Sequence, residues 1–477
     1  MKKVLFFSVL ILLVFSTFQP VSAQIPASYQ STVIVTNVTN GEGNIFFDFF
    51  DSNGEKLDSK YSDTIGAFET KTITTFGALS KGFSGSSRIS SDVPLATMST
   101  IQGKNSSSTT INYAGYIGTT IGSDKVYLPL LMKDNYGYNS YFFIQNIENE
   151  AVTVEITYSD GTNRTETILP QASMKIDNRL ETHNALHFSA TLTVTEPVGG
   201  RITAAVVEYS TGQQGNQLYA YGGFIEGSTK PIFPMINENN YGYWTSANIQ
   251  NIGVAETVVT VEFTPTEAGK RCTETQTIPP GEKRDFATYA FAWPASMYDQ
   301  SISTNCSRYS RFIGTAVVIE NSSNQPLVGI VNQINNGRDP HKGQALMSLN
   351  PDTATPVVVF PNVQQWVGSA RWWSSWNVIN VSSQLINENR IECRVIGTAD
   401  SSGIDIVITN PYPLEPGQGW LKQNYDNYPP LPNGFIGGAI CRSLDGHNIV
   451  GSSNVLGAQA GYSVDSAIAY EGINVSP

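Results

Sequence analysis

The sequence predicts an all-β protein made of four tandem antiparallel β-sandwiches. Three observations carry that prediction. A pattern of apolar pair, aromatic loop, Asn and second strand recurs along the chain; apolar residues within each copy alternate with period two; no long segment keeps the 3.6-residue period of a helix. The repeat is plainest between Leu128-Pro129-Leu130, Asn135-Tyr136-Gly137-Tyr138 and Ile144-Gln145-Asn146-Ile147 and their counterparts Phe233-Pro234-Met235, Asn240-Tyr241-Gly242-Tyr243 and Ile249-Gln250-Asn251-Ile252. Each counterpart lies 105 positions downstream. A single β-propeller is disfavoured because blades repeat at about 40–50 residues.

Residues 1–23 read as a secretory signal peptide, with Lys2 and Lys3 before the apolar run Val4 to Phe15 and a small-residue site at Val21-Ser22-Ala23. The repeats are assigned to residues 24–123, 124–228, 229–353 and 354–477. The first lacks a leading strand, which either marks a trimmed terminal repeat or leaves a sheet edge for a strand from another molecule. The short Gly, Ser, Thr and Pro stretches between units predict stacking with little hinge freedom.

Within each unit the signals come in a fixed order. Asn37, Asn146, Asn251 and Asn380 close one strand, where an Asn amide bonds nearby backbone and tolerates turn dihedrals. The next strand runs Ile45 to Phe50, Val152 to Tyr158, Val258 to Phe263 and Ile391 to Ile396, followed by hairpin turns such as Asp51-Ser52-Asn53-Gly54 and Ser159-Asp160-Gly161. Bends at Ile168-Leu169-Pro170, Ile278-Pro279-Pro280 and Leu414-Glu415-Pro416 stop sheet pairing, with a weak first copy at Ile65-Gly66-Ala67-Phe68. A last hairpin is expected from strands opened by Phe83, Phe188, Phe312 and Phe435, with partners that include Ile202 to Val207 and Pro326 to Val331.

Composition narrows the function. The formal net charge is −12 and becomes −14 once Lys2 and Lys3 are removed with the leader, so phosphate-rich partners are disfavoured and no nucleic acid is expected. Charged residues make up 14% of the chain, below the ~25% of ordinary soluble domains, which favours an extracellular β-protein. Cys272 and Cys306 fall in the third unit and Cys393 and Cys441 in the fourth, so two disulfides within units are expected. After leader removal no transmembrane segment is expected.

Candidate chemistry is sparse. His183 and His187 are four apart, but His187 sits beside a strand, which disfavours a metal; His341 and His447 lie in turns. No nucleophile elbow occurs, the Asp51 turn lacks the rest of a calcium loop, and no catalytic residue, metal or cofactor is predicted. Aromatic residues are more informative: Tyr136, Tyr138, Tyr241, Tyr243 and Trp244 lie in equivalent loops, with Trp366, Trp372, Trp373 and Trp376 in that region of the fourth unit. Flat rings beside Asn and Gly stack on sugars, anchor protein contacts or plug junctions between sandwiches. Sequons at Asn37, Asn105, Asn163, Asn305, Asn321, Asn380 and Asn474 follow from an Asn-, Ser- and Thr-rich chain.

Signal peptide, Ile-Gln-Asn-Ile element, proline turn and Phe-x-Gly strand together resemble, in general plan, the secreted tandem immunoglobulin-like β-sandwich proteins that bacteria carry on their surface as adhesins, stalks or filament subunits. The resemblance implies a non-enzymatic extracellular structural or adhesive protein, secreted or at the cell surface, that self-associates or binds a surface protein or glycan. No Leu-Pro-x-Thr-Gly anchor is present, so release or non-covalent assembly is favoured. A carbohydrate-binding protein using the Tyr and Trp loops is the alternative, and a secreted hydrolase with an unrecognised site the third reading.

Overall fold

Strict alternation of buried and exposed side chains, as in Val152 to Tyr158, can bury its apolar face only against a second sheet. The computed structural model describes residues 26–74, 79–80, 82–119, 121–210, 215–291, 302–335, 341–398, 403–423, 431–458 and 464–476. The signal-peptide assignment falls outside them. The protein is all-β, with four antiparallel sandwiches in succession.

The first contains β1 (Ser28–Asn37), β2 (Gly43–Asp51), β3 (Lys56–Ile65), β4 (Thr70–Ile73), β5 (Gly85–Ser91), β6 (Leu95–Lys104) and β7 (Thr110–Ile117). The second contains β8 (Lys125–Met132), β9 (Tyr138–Asn146), β10 (Val152–Tyr158), β11 (Asn163–Ile168), β12 (Ser173–Asp177), β13 (His187–Glu196), β14 (Ile202–Ser210) and β15 (Leu218–Gly222). The third contains β16 (Ile232–Glu238), β17 (Tyr243–Asn251), β18 (Thr257–Ala268), β19 (Cys272–Ile278), β20 (Lys283–Phe286), β21 (Ser303–Thr304), β22 (Phe312–Asn321), β23 (Leu327–Asn335) and β24 (Lys342–Met347). The fourth contains β25 (Val357–Gln365), β26 (Trp372–Asn380), β27 (Ile391–Gly397), β28 (Asp405–Thr409), β29 (Gly419–Gln423), β30 (Phe435–Ser443), β31 (Ile449–Gly457), β32 (Ala467–Glu471) and β33 (Ile473–Asn474).

One strand order recurs. The second sandwich pairs β11-β10-β13-β8 against β12-β9-β14-β15, and the fourth pairs β28-β27-β30-β25-β33 against β29-β26-β31-β32. The expected turns after β2, β10, β18 and β27 do close hairpins. The expected last hairpin does not form: β13 and β14 lie in opposite sheets, as do β5 and β6, β22 and β23, and β30 and β31. Residues 197–201 join β13 to β14, enough chain to cross the ~10 Å between facing sheets. Immunoglobulin domains instead pair their last two strands in one sheet. Among the described residues the sheet β3-β2-β5 has three strands where the later sandwiches have a fourth.

The repeated motifs are structural devices. Asn146 is buried, donates its amide to the carbonyls of Glu150 (2.7 Å) and Leu169 (3.0 Å) and accepts from the Glu148 N–H (2.8 Å). It thereby pins the end of β9 to the proline bend. Asn37, Asn251 and Asn380 make the same set, so the Asn37 and Asn380 sequons belong to buried staples. The proline of the leading strand sits in a bulge between Phe188 and Ala190 in the β13–β8 register, with equivalents in β16 and β25. Ser140, Thr245 and Ser374 hydroxyls each accept from a backbone N–H beside it. In the Phe-x-Gly element, a Cβ on Gly85, Gly314 or Gly437 would lie 2.0, 2.1 and 2.1 Å from a carbonyl oxygen of the paired strand. At these three positions a Cβ would force the paired backbone to shift, whereas the second unit accommodates Ala190 at the equivalent place.

The sandwiches do not follow one another as an open stack. β7 packs against β15 and β32, and β24 packs against the same two strands, so the fourth unit returns to the first and the chain closes a ring. Asp465 locks the centre. Its N–H donates to the Ile111 carbonyl of the first unit (3.2 Å), and its carboxylate accepts from Leu218 N of the second and Gly343 N of the third, both at 3.1 Å. Burial raises that carboxyl well above the usual range. Glu208, in the second unit, is buried against the Asn332 amide of the third (2.5 Å) and is pushed up to about 8 by burial. Glu471 accepts from the Met347 N–H and is raised to about 7, again by burial. The cysteines pair as Cys272–Cys306 and Cys393–Cys441.

Candidate functional site

The nine aromatic candidates are separated by the fold. Tyr138 is buried, with its hydroxyl on Gln217 and its ring near Tyr219. Trp376 is buried beside Phe360. Trp372 meets Tyr113 edge-on at 4.8 Å and so bridges the fourth unit to the first. These three serve packing.

Tyr136, Tyr241 and Trp366 occupy equivalent loop positions, all with left-handed backbone (φ 52°, 50° and 52°). The turn is held across its base by mutual backbone bonds, Asn135 with Tyr138 and Asn240 with Tyr243. Trp366, at the same place in the fourth unit, is half-buried. Tyr136 is 74% and Tyr241 68% exposed. Arg311 lies over the Tyr241 ring at 4.9 Å and Arg371 over Trp366 at 4.5 Å, stiffening both. Trp244 is half-buried at the start of β17.

Tyr243 and Trp373 line an open cleft of ≈ 200 Å³ between the third and fourth units. Its floor is the outer face of β29-β26-β31. Alternation points Trp373, Ser375 and Asn377 outward from β26 while Ser374, Trp376 and Val378 are buried on the other side. Register sets Ser375 beside Gln423 and Asn454, and Asn377 beside Leu421 and Ser452. The opposite wall comes from the third unit and includes Asn237, Thr315, Gln333 and Gln344. The Gln344 amide donates to the Gln333 carbonyl oxygen, which leaves Gln333 Nε2 and Gln344 Oε1 without a protein partner; Asn377 Oδ1 and Asn454 Oδ1 are also unpartnered. Sequence reading singled out the aromatic residues here and missed the amides, because they come from six strands of two units.

A second cavity lies between the second and third units, lined by His187, Lys283, Arg284, Asp285 and Tyr289 among others. Lys283 bonds Asp285 (2.6 Å) and Asn248 (2.8 Å), and its charge, followed by burial, lowers the His187 imidazole. His183 faces elsewhere: it bonds Asp160 (3.1 Å) and stacks on Phe188 at 4.0 Å. The two histidines therefore do not converge. Among the described residues no group of three or more His, Cys, Asp or Glu side chains is placed to hold a metal ion. No helix there is long and apolar enough to cross a membrane.

No protein-family description matches the sequence, and no curated protein matches it. Among solved structures, a tetra-tandem repeat from the extending region of a large adhesion protein aligns over 94% of this chain and 96% of that one, at 11% identity and a TM-score of 0.10.

Proposed function

We propose that this chain is a non-enzymatic extracellular adhesive protein whose four sandwiches form one rigid platform. The observation that carries the reading is the repeated aromatic loop. Tyr136, Tyr241 and Trp366 stand at equivalent positions of three units, each on left-handed backbone. Closure of the units in a ring fixes the spacing of those rings, so weak contacts at several loops add by avidity where a surface engages them together. Tyr and Trp lose little side-chain entropy on binding and supply large contact area. The paired cysteines suit an oxidising compartment outside the cell. A closed ring favours this role over a stalk, whose reach depends on an open end.

Beads carrying the chain from Gln24 to Pro477 and beads carrying the triple variant Tyr136→Ala, Tyr241→Ala, Trp366→Ala test it on panels of extracellular proteins and glycans. Wild-type adhesion that the triple variant loses, with unchanged melting, supports the reading. Equal adhesion by both overturns it, as does turnover of a glycan or peptide substrate by the purified chain.

A further inference from the structure

We propose that the cleft between the third and fourth units binds a neutral carbohydrate chain, laid against Trp373 with its hydroxyls bonded by the amides of Gln333, Gln344, Asn377 and Asn454. This deepens the adhesive reading by naming a ligand class; the cleft adjoins the Tyr241 loop through Asn240 and Tyr243, while the Tyr136, Tyr241 and Trp366 rings are not among its lining residues.

Unsatisfied polarity is the first observation. Gln333 and Gln344 are each 3% exposed and Asn377 8%; each lines the cleft and carries one buried amide atom with no protein partner. Buried amide atoms are nearly always bonded, and each left unbonded costs ~1–3 kcal/mol. The glutamine pair offers one donor and one acceptor side by side, which matches a hydroxyl, since a hydroxyl both accepts and donates.

Charge is the second. Among the described residues Glu267 is the one carboxylate or basic side chain lining the cleft, and Gln423 bonds it at 3.3 Å. No Lys, Arg or His among the described residues lines the cleft, so phosphate, sulfate and uronate groups find no counter-charge there, in a chain of net charge −12. A neutral sugar needs none. Its C–H face suits the half-buried indole of Trp373, and its hydroxyls suit the amides.

The third unit supplies an internal control. Trp244, Ser246 and Asn248 repeat the row Trp373, Ser375 and Asn377, and in both sheets the Asn sits next to an edge strand. There the Lys283 ammonium bonds Asn248 at 2.8 Å and fills the junction. In the fourth unit Gly419 stands at the place of Lys283 and Leu421 at that of Asp285, so Asn377 Oδ1 is left for an outside partner. An extended peptide is the competing occupant. The backbone of β26 is bonded to β29 and β31 on both edges, so over β26 a peptide would meet a face of side chains; only β29, the edge strand, offers backbone to extend, and uncharged peptides are therefore part of the test.

Calorimetric titration of the chain from Gln24 to Pro477 with neutral oligosaccharides (gluco-, galacto- and manno-configured), their sulfated or uronic counterparts and a set of uncharged peptides tests the proposal. The expected result is binding of at least one neutral sugar at millimolar or lower concentration, about tenfold weaker on Trp373→Ala and weakened on Asn454→Ala, with melting of both variants unchanged. Gain of affinity for sulfated sugars, binding of peptides alone, absence of any neutral-sugar binding, or neutral-sugar binding indifferent to both substitutions overturns it. Bead adhesion that depends on Tyr136, Tyr241 and Trp366 but survives Trp373→Ala would leave the adhesive reading standing while the cleft proposal falls; the reverse pattern would do the opposite.

Discussion

Replacing Asp465 by Ala removes a side chain that bonds two other units at the ring centre. The Leu218 and Gly343 N–H groups, both on buried residues, lose their acceptor at 3.1 Å, while the Asp465 backbone bond to Ile111 remains. Two buried donors left unpaired cost ~1–3 kcal/mol each, or ~2–6 kcal/mol together. Removal of a carboxyl that burial already disfavours in its charged form offsets part of this, so the expectation is ~2–4 kcal/mol. Asp465→Asn keeps one acceptor and turns its NH2 toward the other donor, and should cost about half as much. Urea unfolding followed by tryptophan fluorescence reads both, and the slope adds a second test. If Asp465 couples the units, its loss lowers the cooperativity as well as the midpoint, because the units then unfold separately. Small-angle scattering on the same samples reports whether the ring opens. An Asp465→Ala protein with the midpoint, slope and radius of gyration of the wild type would refute the account of closure.

Three further outcomes are expected. Glu208 has a folded value of about 8 against an ordinary 4.5, so its contribution to stability is full below about pH 4.5 and is lost as pH rises through about 8; the gap corresponds to ~3–5 kcal/mol, and melting temperature should fall between about pH 5 and about pH 8, less steeply in Glu208→Gln. Asn251→Ala orphans the Ala255 and Ile278 carbonyls and the Gly253 N–H, so a loss of ~2–4 kcal/mol with faster hydrogen exchange at residues 253–258 is predicted, and unchanged exchange would remove the staple from the argument. Trp372→Ala breaks the edge contact with Tyr113 and opens space at the seam between the fourth and first units, at a cost of ~2–4 kcal/mol by thermal unfolding, with exchange rising along β7 in the first unit.

The candidate site shows how far sequence reading reached. Tyr136, Tyr241 and Trp366 were legible as equivalent loop residues because the repeat brings its own alignment. Trp372, Trp373 and Trp376 looked alike in the chain and have three different roles in the fold: one packs on the first unit, one lines a cleft, one fills a core. Period-two alternation separates Trp373 from Trp376 once the strand is known, but only the neighbouring unit decides what an outward residue meets. Gln333 and Gln344 carry no signal of their own; they matter because β23 and β24 pair and present both amides to another sandwich.

The sequence by itself determined the all-β class, the number of units, the turns that close true hairpins and the Asn that ends the second strand of each complete unit. Those features are local, set by dihedral preference, side-chain alternation and hydrogen bonds spanning at most a few tens of residues. Tertiary structure decided that β5 and β6, β13 and β14, β22 and β23, and β30 and β31 separate into facing sheets and that four units close a ring around Asp465 instead of forming an open stack. It also decided that Gly419 leaves open at one junction what Lys283 fills at the preceding one. Such outcomes depend on how two surfaces far apart in the chain complement each other, and neither periodicity nor composition encodes that match.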